Sequence, residues 1–177
     1  MWNQGEKTML LSFLRFIHVV FGLIVIGVGT ALLLRMLTGE FFEKWAVIFL
    51  KSSLAAGVTG LLFPIHHLQL THVAAMFGIY LSGAAILAWR RFQLAGAWAL
   101  VFALSIILLV AINTFVAIAH AFRFVPALKT LAPTQSEPAF LFAELVVALP
   151  FVALGIFAVC RFCSQPAHSS LGSKATH

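Results

Sequence analysis

The chain has 177 residues, of which 62% are hydrophobic and 9% charged, against roughly 45–50% and about 25% in soluble domains. A water-soluble fold of this size cannot hide that much apolar surface, so a soluble domain is excluded and a lipid bilayer is the fitting solvent. The net charge of +6 comes from basic residues scattered singly or in pairs between apolar runs. That is the pattern of interfacial anchors and orientation signals, and no nucleic-acid partner is expected.

A bilayer core about 30 Å thick takes roughly 20 apolar residues per helix, and five runs meet that length. Together they predict an all-α integral membrane bundle of about five transmembrane helices over residues 1–163. The first run spans 13–37 and ends at the polar Thr38-Gly39-Glu40. Its basic flank and apolar centre imitate a signal peptide, but no small-x-small cleavage site precedes a polar mature sequence, so it reads as a retained helix. The second run covers 45–65, with Pro64 near its end, and His66 to Thr71 forms a polar turn. The third covers 72–89 and stops at Arg90-Arg91. The fourth, 94–122, is long enough to tilt or to project beyond the bilayer. Pro126, Pro133 and Pro138 mark 125–138 as a loop. The fifth run, 139–162, contains Pro150, which predicts a kink. Residues 164–177 have the composition of a disordered tail.

Alternating helix directions place Lys7, Arg15, Arg123 and Lys129 on one side of the membrane. Arg35, Lys44, Lys51, Arg90, Arg91, Arg161 and Lys174 fall on the other. The positive-inside rule then puts the N-terminus outside. Small residues recur at helical spacing, as at Ala56 and Gly60, at Gly78 and Ser82, and at Gly22 and Gly29. Such stripes let helices approach closely in lipid.

Five of the seven histidines, His18, His66, His67, His72 and His120, fall toward the outer side. Arg15 and His18 are three residues apart, as are His120 and Arg123, so each pair shares a helix face. Because the two helices run in opposite directions, each Arg lies nearer the surface with its His about one turn deeper. His72 and Met76 are four apart, a spacing that lets both reach one ligand. Imidazole binds copper and haem iron, and a thioether suits haem iron or copper(I). Haem b or copper are therefore the candidate cofactors, with Arg15 and Arg123 placed to neutralise propionates. Glu144 is a candidate partner orienting a ligating histidine, and Asn113 lies on the face of His120. The opposing expectation is that these histidines are interfacial or structurally hydrogen-bonded, that the arginines snorkel, and that Met76 and Asn113 serve packing. Cys160 and Cys163 form a C-x-x-C that reads as two thiols at a helix end, since a second ligand pair and a thioredoxin context are missing.

No phosphate loop, H-E-x-x-H or G-x-S-x-G occurs, so no catalytic residues are assigned. His66-His67-x-x-x-x-His72 resembles one histidine box of the membrane di-iron enzymes, whose other boxes are missing. An inverted repeat of the transporter type is not evident.

The segments Leu-Ser-Gly-Ala-Ala-Ile-Leu-Ala-Trp-Arg-Arg-Phe (81–92) and Leu-Ala-Pro-Thr-Gln-Ser-Glu-Pro-Ala-Phe (131–140) resemble a group of small bacterial membrane proteins with no assigned activity. That resemblance covers the last two-thirds of the chain and implies a multi-pass protein of the bacterial inner membrane. The opening Arg15-Phe16-Ile17-His18-Val19-Val20, with Gly22, is similar to first helices of copper-resistance and haem-handling membrane bundles, without the Trp-x-Gly-Gly that follows there. The leading expectation is metal or haem handling near the outer leaflet. Its rivals are a non-catalytic accessory subunit or assembly factor bound to other membrane subunits or to its own copies, and a small-molecule carrier.

Overall fold

In a computed structural model the chain is described over residues 3–38, 43–64 and 70–163, with the side chains of residues 70, 71, 162 and 163 excepted. The elements are α1 (Gln4–Leu37), α2 (Glu43–Leu61), α3 (Leu70–Arg90), α4 (Ala97–Phe124), α5 (Pro126–Leu131) and α6 (Pro138–Cys163), with no strand among the described residues. This is an all-α bundle. Helices α1, α3, α4 and α6 are long and apolar enough to cross a membrane, as in a multi-pass membrane protein. Helix α2 carries Lys44 and Lys51 within its 19 residues and falls outside that group, yet it packs between α1 and α3.

Several boundaries differ from the hydropathy reading, each for a local reason. Helix α1 starts at Gln4, before the apolar run, because Asn3 caps it: the Asn3 N–H donates to Glu6 Oε2 at 3.0 Å. Its 34 residues span about 50 Å at 1.5 Å per residue, well beyond the apolar core of a bilayer. Helix α2 ends at Leu61, where the Leu62 N–H turns back to Thr59 O and Pro64 has no N–H to continue the ladder. Helix α4 starts at Ala97 because Gln93, Leu94 and Gly96 adopt positive φ of 51°, 57° and 54°, which no helix accepts. The proline-rich loop contains α5, which opens on Pro126, a residue whose fixed φ suits the first helical position. Helix α6 runs through Pro150.

Contacts show how the helices run. Gly29 meets Phe49 while His18 meets Gly60, so α1 and α2 are antiparallel. Phe63 pairs with His72 and Gly57 with Ile79, so α2 and α3 are antiparallel. Gly155 meets Ile107 and Phe140 meets Phe122, giving the same relation for α4 and α6. Val25, Leu32, Phe49, Phe102, Ile106 and Leu109 lie in the core, each nearly or fully buried. The small residues act as sites of close approach: Gly22 abuts Asn113, Gly60 abuts Ala75 and His18, and Gly29 is closed over by Val110 and Phe49. Ser82 is buried and returns its hydroxyl to Gly78 O at 2.8 Å.

A smaller cluster of Phe122, Ala132 and Phe140 fastens the α5 segment and the start of α6 beneath the end of α4. Gln135 Nε2 donates to Ala119 O at 2.5 Å and pins the link between α5 and α6 to that helix. Glu137 caps the same link, accepting from Thr134 N at 3.0 Å, Thr134 Oγ1 at 2.8 Å and Ser136 N at 3.0 Å. These donors, the Thr134 amide foremost, hold its carboxyl below the usual carboxylate range.

Candidate functional site

The antiparallel run of α1 and α4 brings His18 and His120 together, with ring centroids 6.2 Å apart and planes tilted by 39°. The histidine ring on α1 lies over the Gly60 face of α2, where a missing side chain leaves room for it. Its Nδ1 sits 3.0 Å from Ala56 O and 3.1 Å from Thr59 Oγ1. A carbonyl only accepts, so Nδ1 carries the proton. The Thr59 hydroxyl donates back to Ala55 O at 2.7 Å, leaving its oxygen lone pairs for the imidazole. His120 Nδ1 likewise donates to Val116 O at 2.8 Å. In both rings the neutral form keeps its free lone pair on Nε2. Phe63 stands edge-on to His18 at 5.4 Å, and Phe124 flanks His120 at 5.8 Å.

The other sequence candidates divide. His72 is 4% exposed and lies one step away on α3, donating Nε2 to Phe63 O at 3.2 Å. Its Nδ1 is buried with no hydrogen-bond partner. Met76, expected to share a ligand with His72, is 51% exposed. Arg15 and Arg123, expected beside propionates, both turn their guanidinium groups to the Phe124 ring, at 4.9 and 5.9 Å, in cation–π contact. The Nδ1 groups of His18 and His120, where an orienting partner such as Glu144 was expected, are bound to backbone carbonyls; Glu144 itself lies elsewhere. It lines a groove between α3, α4 and α6, and its Oε1 is buried without a partner. Asn113 donates Nδ2 to Leu109 O at 2.8 Å and turns its oxygen toward Gly22. Cys160 is exposed near the end of α6. His66, His67 and the Cys163 side chain lie outside the described residues.

Two spaces adjoin these groups. A cavity of about 30 Å³ is enclosed by His18, Ser53, Gly57, Gly78 and Asn113 among others. The groove by Glu144 is far larger, about 600 Å³, and its walls are apolar, with Phe77, Phe115 and Phe151 among them. Among the described residues no group of three or more His, Cys, Asp or Glu is placed to hold a metal ion. No family model matches this chain, and neither does any curated protein or solved structure. The reading of its chemistry therefore rests on its own geometry.

Sequence reasoning missed Thr59 and Ser53. Both are hydroxyl residues on the small-residue face of α2, where a polar atom must point at a neighbouring helix, and that pattern was the available signal.

Proposed function

We propose that this protein holds a single copper ion between His18 and His120, in the outer half of a bacterial inner membrane, as part of metal or redox handling. The observation that carries this reading is the 6.2 Å ring separation. A metal–nitrogen bond of about 2 Å on each side, plus roughly 1.1 Å from each ring nitrogen to its centroid, separates two coordinated imidazoles by about 6 Å. Rotation about the nitrogen–metal–nitrogen axis accommodates the 39° tilt. The two Nδ1–H bonds to backbone carbonyls are the usual orienting partners of metal-bound histidine. Copper is favoured over haem b because Phe63 and Phe124 pack directly against the two imidazoles, at 5.4 and 5.8 Å, and a macrocycle would need them to part. The distribution of basic residues supports an outside N-terminus.

Metal analysis of the purified protein after copper loading tests the reading, with X-ray absorption reporting the ligands. One copper per chain on two imidazole nitrogens is expected, and its loss in His18→Ala and in His120→Ala. Unchanged copper in both variants would remove the site, and a Soret band would reassign it to haem. A second reading, a subunit of a larger membrane assembly, is favoured by α6, whose membrane-length window is only 11% buried. Native mass measurement after gentle solubilisation decides it, and a monomer in several detergents counts against it.

A further inference from the structure

The groove at Glu144 belongs to no part of the histidine site. Helices α3 and α6 form its sides and α4 its floor, and at about 600 Å³ it falls within the usual range for small-molecule sites. Its position within helices that are long and apolar enough for a bilayer opens it to lipid. Acyl chains would fill the space but would leave the Glu144 Oε1, buried and without a partner, unsatisfied. An orphan carboxyl in an apolar medium is costly, and the groove offers nothing to relieve it. Among the described residues Glu144 is the sole ionisable one lining the groove, and the Thr114 hydroxyl is committed to Val110 O at 2.8 Å. A neutral ligand with several polar atoms would find only one open partner.

The complement of a single carboxylate set among aromatic rings is a single positive charge spread over an apolar body. Phe77, Phe115 and Phe151 line the groove, and the face of an aromatic ring attracts a cation through its negative π density. A delocalised cation also loses little hydration on leaving water, so the attraction of the carboxylate in a low-dielectric groove is not cancelled by desolvation. We infer that this groove is a binding site for lipophilic organic cations, entered from the bilayer and neutralised by the Glu144 carboxylate. When the carboxyl starts protonated, its proton leaves to solvent as the cation takes its place.

The experiment uses the full chain in phosphatidylcholine nanodiscs and equilibrium dialysis of labelled tetraphenylphosphonium, with empty discs as background. Saturable binding of one cation per chain is expected. Glu144→Gln should weaken it at least tenfold without altering elution or thermal unfolding, and Phe115→Leu should weaken it about threefold. Absence of saturable binding above empty discs would overturn the proposal, as would equal affinity in Glu144→Gln. So would Glu144-dependent binding of a neutral short-chain quinone by a protein that ignores the phosphonium. The histidine variants that test the copper site leave this groove intact, so the two ideas fail separately.

Discussion

At Gly29, α1 packs against side chains of both α2 and α4, and adding one methyl there measures how tightly the bundle is packed. A Cβ at that position would run into Val110 Cγ2 and Phe49 Cε2. Both neighbours are fully buried, at 0% exposure, and the valine is stiff about χ1, so neither can step aside freely. Overpacking of this kind costs about 1–3 kcal/mol. Alanine also recovers about 1 kcal/mol of helix propensity over glycine, which would mask part of the effect. Gly27 supplies the control, two residues away on the same helix with nothing within 4 Å of its added Cβ. Gly27→Ala is predicted to be stabilising by up to about 1 kcal/mol, and Gly29→Ala to fall below it by about 1–3 kcal/mol. Reversible unfolding in mixed micelles with increasing dodecyl sulfate, followed by circular dichroism, measures both. A Gly29→Ala protein as stable as Gly27→Ala would refute the close approach of the three helices.

Three further outcomes are expected. Ser53 is 2% exposed and its hydroxyl is buried without a partner, so Ser53→Ala should be neutral or stabilising by up to about 1 kcal/mol in the same unfolding assay. The Glu137 carboxyl titrates below its ordinary value of 4.5, so its capping contribution is complete above that pH and is lost as pH falls through the depressed value. Protection of the Thr134 and Ser136 amides, taken relative to the intrinsic exchange rate at each pH, should therefore fall in acid, and in Glu137→Gln that fall should be absent because protection is already low. The Arg90–Glu43 pair is long at 3.5 Å, and its side chains are 63% and 64% exposed. Glu43→Gln should shift stability by less than about 0.5 kcal/mol, and a larger loss would mean the pair ties α2 to α3.

The bundle was legible because apolar length is what lipid demands, and each long helix lies under one of the apolar runs. The ends were less so. The start of α1 depends on a capping exchange between Asn3 and Glu6, and the α3–α4 corner on backbone angles at Gln93 and Leu94 that composition does not announce. The two three-residue spacings on oppositely directed helices placed His18 and His120 at a similar depth, since depth can be counted along the chain, but that α1 packs beside α4 came from the structure. Glu144 was read as a candidate partner of a histidine, and it lines the groove between α3, α4 and α6. Depth comes from counting residues, whereas the direction a side chain takes around its helix is set by which helices pack beside it. The same holds on α3, where His72 is buried and Met76, four residues on, is 51% exposed.

The corner between α3 and α4 has a mechanical consequence. Leu94 adopts a left-handed backbone while its side chain packs on the core, and Phe92 stacks on Trp98 with centroids 3.8 Å apart. Such a corner welds two helices into one piece, so α3 and α4 should move together or not at all. Two walls of the Glu144 groove then keep a constant spacing. Its width is set by the seat of α6, the least enclosed of the four membrane-length helices, on α4, held near Gln135 at one end and where Gly155 meets Ile107 toward the other, like a plank pinned at both ends.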